Sequence, residues 1–348
     1  MAAENKMHVP RASLPVDRRT FSLGMLMALT AACNTGASQG RAQAVTDSFW
    51  TAWRDRFVAP EGRVVDTGNG GISHSEGQSY GMILALRAGD RNAFERIAKW
   101  TQDTLGRQDM ALHSWRYDPR EAIRVSDPNN ATDGDLVIAW ALALAGERWQ
   151  RSDWTKRAQE VREAIHMHCV EQRYGCSLLL PGVVGFAEPA QVLVNPSYFV
   201  WPALDHFVKM DGDSTWGPVI RDCEAITRLA RFGPHHLPCD WVAVTGKNDV
   251  APAPGKPPRF GYDAIRVPLY AVVGGRAGLV QPVAEWWRSC LSQHRPIPAW
   301  IDVVTGEEAN YPLSTGGAAI AGRLIATPAP AALDTDYFSA SLQMLARL

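Results

Sequence analysis

Neither charge imbalance nor a long apolar run marks out this 348-residue chain. Thirty-five Lys and Arg against 36 Asp and Glu leave a formal net charge of −1, without the basic face that a nucleic-acid partner requires. Beyond the N-terminal region no segment is long and apolar enough to span a bilayer. Cysteine is scarce, six in all, and its spacing does not resemble a zinc site. No Gly-rich phosphate loop joins a strand to a helix, no internal repeat is evident, and no low-complexity linker divides the chain. What these absences leave is a globular domain, whose 46% hydrophobic content suffices for a sizeable core. Aromatics are not scarce. Thirteen Trp exceed ordinary core needs and suit a surface that stacks flat, amphipathic ligands.

The N-terminus has the pattern of an export signal. Lys6, Arg11, Arg18 and Arg19 form a basic region, Phe21 to Ala32 a short apolar run, and Ala42-Gln43-Ala44 a small-residue cleavage site. Asp17-Arg18-Arg19-Thr20-Phe21 also has the form of a twin-arginine signal. Residues 1–44 are therefore expected to be removed on export to the periplasm or the medium, leaving 45–348 as one domain without a membrane segment. Cys169, Cys176, Cys223, Cys239 and Cys290 remain, an odd number. Cys169 and Cys176 are near enough for a bridge across a turn; five buried thiols are the alternative.

Helical periodicity dominates the rest. Phe49, Trp50, Trp53 and Phe57 recur at helical spacing, and ten further segments carry helical patterns, one of them from Pro196 to Lys209 and the last from Asp334 to Leu348. Strand-like pieces are few, such as Trp241 to Thr245 and Trp300 to Thr305, and Ala251 to Pro258 has the composition of a surface loop. The expected class is all-α, with function carried on loops between helices.

Three helix starts carry acids in excess of local need. Glu76 lies where the Gly-rich loop Gly68 to Gly71 gives way to Met82-Ile83-Leu84-Ala85-Leu86, with Ser75 and Gln78 as candidate capping residues. Asp133 and Asp135 straddle Gly134 ahead of Leu136-Val137-Ile138; capping by Thr132 or Asp133 explains one acid but not both. Asp263 precedes another apolar helix, with Arg266 three residues on and able to hold it ionised. Each acid alone has a plain structural reading as a cap or first-turn charge. Should the three helix mouths share one end of a helical barrel, the acids converge. Paired carboxylates are what glycosidic hydrolysis needs, one protonated to donate to the leaving oxygen and one ionised to activate water. The aromatics Trp115, Tyr117, Tyr198, Trp201, Trp241 and Tyr262 lie in or beside loops where they would stack sugar rings, though core packing is the commoner role for any one of them.

Ser75-Glu76-Gly77-Gln78-Ser79-Tyr80-Gly81-Met82, Ala131-Thr132-Asp133-Gly134-Asp135, Asn195-Pro196-Ser197-Tyr198 and Tyr262-Asp263-Ala264-Ile265-Arg266 resemble glycoside hydrolase family 8. In particular they resemble the exported endo-β-1,4-glucanases of bacterial cellulose synthesis. Asp240-Trp241-Val242 and other short ordered matches extend the likeness from about Phe49 to about Ala319. The resemblance implies an (α/α)6 barrel of six helical hairpins with a substrate groove across one end, and an inverting mechanism without metal or organic cofactor. It implies Glu76 as general acid, Asp263 as general base, and Asp133 at the cleavage-point sugar. Tyr80, Trp115, Asp135, Tyr198, Trp241, Tyr262 and Arg266 are the implied substrate-binding residues. Inversion requires acid and base roughly 6.5–9.5 Å apart, and Glu76 a raised pKa. The implied partner is a β-1,4-glucan, with cellulose synthesis and export machinery as a possible second partner and a monomer as the expected state. Chitosanase, xylanase and mixed-linkage glucanase activities, or a non-catalytic glucan-binding subunit, are the alternatives. Eleven helices are countable where a full barrel has twelve, which leaves the last in question.

Overall fold

The structure, a computed structural model, describes residues 48–348. The expected export segment lies outside the described residues. Eleven α-helices are present among them: α1 over 48–57, α2 Ser75–Ala88, α3 Arg91–Leu105, α4 Thr132–Trp149, α5 Ser152–Cys169, α6 Trp201–Asp211, α7 Asp213–Leu229, α8 Arg266–Val273, α9 Gln281–Ser292, α10 Thr315–Ile325 and α11 Tyr337–Leu345.

Burial separates two rings. In α2 every residue from Gly77 to Leu86 is buried, and α4 is buried almost continuously from Thr132 to Gly146. Helices apolar on all sides must lie inside. By contrast α3 buries one stripe, Ala93, Phe94, Ile97, Thr101 and Leu105, and shows its remaining face to solvent. Packing runs α2 to α4, α4 to α6, α6 to α8, α8 to α10, α10 to α11 and α11 back to α2, which closes an inner ring of six. Helices α3, α5, α7 and α9 lean on that ring from outside. Helix α1 packs against α11, where Trp53 Nε1 donates to Ser341 Oγ at 3.1 Å and its ring lies 6.4 Å from Tyr337. This is an (α/α)6 barrel. The closing helix α11 is present and almost wholly buried, so it belongs to the inner ring. The place of a sixth outer helix, between α10 and α11, is taken by non-helical chain over 326–336.

Two expectations need correction. The single helix expected from Pro196 to Lys209 is a short 3-10 turn, Pro196–Tyr198, followed by a break at Phe199 and Val200 before α6. Pro196 and Pro202 each open a helical turn because neither has an N–H to lose there. The presumed surface loop from Ala251 is partly strand. Numbering the short strands in chain order, β1 is Ser73–His74, β2 Arg116–Tyr117, β3 Val170–Arg173, β4 Cys176–Leu179, β5 Val192–Val194, β6 Val242–Gly246, β7 Asp249–Pro252, β8 Arg259–Phe260 and β9 Ile301–Asp302. Strands β5, β6 and β7 form one antiparallel sheet in that order, with Val244 opposite Val192 on one side and Val250 on the other. The five described cysteines are free and buried.

The inner ring brings α2 and α4 into close contact at their starts. A Cβ built on Gly134 would lie 2.5 Å from Ser75 Oγ and 2.9 Å from the backbone nitrogen of Glu76. Helix propensity alone predicts that Gly134→Ala stabilises by about 1 kcal/mol. The packing predicts the reverse: a loss of about 1–3 kcal/mol on thermal or chemical denaturation, because two backbones must separate.

Candidate active site

The first turns of α2, α4 and α8 meet at one end of the inner ring. Glu76 comes from α2, Asp133 from α4 and Asp263 from the turn just before α8, and Arg266 at the start of α8 joins them. Its guanidinium is buried. Nη1 donates to Glu76 Oε2, to Asp133 Oδ2 at 2.8 Å and to Tyr80 OH at 3.3 Å, while Nη2 donates to Asp263 Oδ1 at 2.7 Å. The Tyr198 ring lies 5.6 Å from the guanidinium carbon. Six of the ten residues expected from sequence, Glu76, Tyr80, Asp133, Tyr198, Asp263 and Arg266, thus form one network.

Capping does not account for these acids. His74 caps α2, its Nδ1 accepting from Gly77 N at 2.9 Å. Gln78 is buried, its Oε1 accepting from Val64 N and its Nε2 donating to Thr101 Oγ1 at 2.9 Å. Helix α4 has no side-chain cap, and the Ser75 and Thr132 hydroxyls are buried without a hydrogen-bond partner. Asp133 Oδ1 accepts only from the adjoining Gly134 N at 2.8 Å, leaving Oδ2 for Arg266. The turn bearing Asp263 ends before α8 begins, and Asn195 Nδ2 donates to Asp263 Oδ2 at 3.2 Å.

The remaining four expected residues stand apart from this network. Asp135 is fully buried behind it, accepting from His113 N at 3.1 Å and Asn130 Nδ2 at 3.0 Å and lying 2.7 Å from His113 Nδ1. Trp241 stacks on Phe186, with ring centroids 5.9 Å apart, and carries Lys256 Nζ 5.2 Å above its ring. Trp115 donates from Nε1 to Asp127 at 2.8 Å, and its carbonyl accepts from Ser75 N. Tyr262 is 60% exposed beside Asp263, its hydroxyl 2.9 Å from that of Tyr311, to which Trp300 Nε1 also donates.

Electrostatics divides the acids. Burial, then the charge of Glu76, pushes the Asp133 carboxyl up to about 8. Glu76 moves the other way: burial opposes its charge, but Arg266 and His74 outweigh that and lower its pKa. The two carboxyls sit against one cationic nitrogen, so one proton stays with the pair at neutral pH. It rests on Asp133 in the ligand-free enzyme, which is the opposite of the simple expectation of a raised Glu76. Glu76 is nonetheless the outward member, with 16% of its side chain exposed against 2% for Asp133. Sequence reasoning missed Tyr270, whose hydroxyl is 3.4 Å from that of Tyr80, and the functional reading of His74. Tyr270 is one helical turn beyond Arg266, a spacing that could have flagged it.

A family model, Glycosyl hydrolases family 8, matches residues 22–348. The chain belongs to glycosyl hydrolase family 8. It is 38% identical over 323 residues to a protein of Novacetimonas hansenii described as a probable endoglucanase, covering 90% of this chain and 93% of that one. It is 36% identical over 304 residues to an endoglucanase of Cellulomonas uda, covering 87% and 84%. Among solved structures, the endo-β-1,4-glucanase of Acetobacter xylinum superimposes with a TM-score of 0.81 at 36% identity, over 87% of this chain and 97% of that one. The glycosidase chemistry of family 8 therefore belongs to this barrel.

Asp133 has a stability cost whose pH dependence is fixed in sign. Its folded pKa of about 8 exceeds the unfolded value of 3.8. As pH rises through that interval the unfolded chain releases a proton that the folded chain keeps, so this group's contribution falls with pH and is neutral below the interval. Asp133→Asn, which mimics the protonated form, is expected to melt higher than the parent near pH 7, the difference vanishing near pH 4, while activity drops roughly 10²-fold or more. Melting curves at both pH values check this.

Proposed function

We propose that this family 8 enzyme hydrolyses internal β-1,4-glucosidic bonds of cellulose and soluble β-glucans by inversion. The observation that carries the proposal is the attachment of Glu76, Asp133 and Asp263 to the two arms of one guanidinium, at the mouth of a barrel flanked by exposed tyrosines. The identity with proteins described as endoglucanases supports the glucan.

In this mechanism Glu76 gives its proton to the glycosidic oxygen as the bond to the anomeric carbon breaks. A water attacks the same carbon from the opposite face and loses its proton to Asp263. The products are a hydroxyl on the leaving chain and a hemiacetal of inverted configuration. Before cleavage Asp133, which holds the pair's proton, passes it to Glu76; ionised, Asp133 contacts the cleavage-point sugar and stabilises the developing positive charge on the ring, and after product release Asp263 gives its proton to solvent and the Glu76–Asp133 pair takes one back. Arg266 keeps the two working carboxyls on separate nitrogens, so that neither drifts into the other's place. Tyr262 and Tyr311 offer ring faces to sugars beside Asp263, and the half-buried Trp115 lies beside the start of α2. No step calls on a metal or an organic cofactor.

The same reading holds that the enzyme acts as a monomer outside the cytoplasm, on glucan that cellulose synthesis and export machinery delivers. The basic-apolar N-terminal pattern supports export, and the likeness of the acid-bearing stretches to the cellulose-synthesis branch supports the setting.

Purified enzyme should lower the viscosity of carboxymethyl-cellulose faster than it releases reducing ends, the mark of internal cleavage. Glu76→Gln and Asp263→Asn should each cut the rate by about 10²–10⁴-fold while melting like folded protein. Full activity of either variant would remove that residue's assignment, and cleavage of chitosan or xylan alone would overturn the glucan.

A further inference from the structure

Asp263 is held by its side chain at two points, and the backbone on either side of it is held at a third. Arg266 and Asn195 hold the carboxylate, and the Asn195 amide is itself oriented because its Oδ1 accepts from Ser197 N at 3.0 Å and Ser197 Oγ at 2.7 Å. The third hold comes from Asp240, which precedes β6 and whose own backbone N–H is bonded to the Arg259 carbonyl at 2.7 Å. One oxygen of Asp240, Oδ1, accepts from Gly261 N at 3.2 Å and from Ala264 N at 2.7 Å. Those two N–H groups bracket Tyr262 and Asp263. The Gly261 position is tight as well, since a Cβ there would lie 3.0 Å from Asp240 Oδ2.

We propose that Asp240 is the positioning residue for Asp263, fixing the turn that aims this carboxylate at the attacking water. It touches neither the substrate bond nor the water. The inference rests on the reading of Asp263 as general base. Within the turn Ile265 N donates to the Gly261 carbonyl and Arg266 N to the Asp263 carbonyl, each at 3.0 Å, while the N–H groups of Gly261 and Ala264 find their acceptor on Asp240. Without Asp240 those two N–H groups lose their acceptor and the turn loses its tie to the chain ahead of β6, and a displacement of about 1 Å at a reacting group costs on the order of 10²-fold in rate.

Asp240 is also poised to titrate in the working range. Burial, then the charge of Asp263, raises it to about 7, against the hydrogen bonds from Ala264 and Gly261 and the charge of Arg266. The charged groups facing it are therefore Asp263 from the turn and Arg266 from α8. Below about pH 7 it serves as a neutral acceptor, and above it a second negative charge develops beside Asp263.

Kinetics on carboxymethyl-cellulose with Asp240→Ala and Asp240→Asn, alongside melting temperatures, tests this. Asn keeps the oxygen acceptor without the charge. Asp240→Ala should lose about 10²-fold in kcat with KM within about twofold, and Asp240→Asn should recover most of that loss below pH 6. The ratio of parent to Asp240→Asn activity should be constant below pH 6 and change across pH 7, where only the parent titrates. Should Asp240→Ala fail to fold, the Asn profile still decides. Superimposable profiles for parent and Asp240→Asn, or an Asp240→Ala enzyme with parental kcat, would overturn the proposal. Asp263→Asn measured in parallel separates the two readings, because parental activity in that variant removes the base assignment irrespective of Asp240.

Discussion

A single buried cation organises this end of the barrel. Arg266 is taken from water into the inner ring, where burial opposes its charge, and the acidic groups around it, Glu76 foremost, outweigh that cost and hold it ionised. The three acids in turn tolerate burial because Arg266 is present. Each comes from the first turn of, or the turn before, a different inner helix, so the guanidinium also fixes how α2, α4 and α8 sit around the barrel axis. Three acids against one arginine leave excess negative charge in a region of low dielectric. Retaining a proton on the Glu76–Asp133 pair is the least costly remedy. The proton that glycosidic cleavage requires is thus stored by the same charge balance that holds the helices together.

The surrounding packing is specialised toward that arrangement at some expense to stability. Gly134 gives up helix propensity so that α4 can approach α2. Ser75 and Thr132 keep buried hydroxyls without partners, and Asp133 keeps a carboxyl where an amide would fold more readily. Elsewhere the core is filled by large side chains such as Trp53 and Trp216, whose indole N–H groups find partners in Ser341 and Asp211.

Much of this was legible in the sequence because the relevant signals were local. The helical periodicity of Phe49, Trp50, Trp53 and Phe57, and the acids at the starts of apolar runs, followed from spacing, and the count of eleven helices agrees with the described residues. The missing partner helix could not be placed that way: α11 carries an apolar pattern compatible with either ring, and only its contact with α2 puts it inside. The break at Phe199 escaped because two helical prolines lie only six residues apart, which masks the 3-10 turn. The direction of the proton bias also escaped, since it depends on Arg266 and His74 approaching Glu76 from 190 residues away and two residues away respectively. Asp135 shows the limit of a short motif. It belongs to the same five-residue stretch as Asp133, yet alternation along the first helical turn directs it to His113 and Asn130 behind the site.

The central claim is that one carboxyl gives a proton while another activates water on the opposite face of the sugar. The anomeric configuration of the first product formed from a β-1,4-linked cello-oligosaccharide, followed by proton NMR before mutarotation, tests that claim most directly. The account predicts the α-anomer at the newly formed reducing end, decaying to the equilibrium mixture. Initial appearance of the β-anomer would mean a covalent glycosyl-enzyme and would contradict the roles given to Glu76 and Asp263.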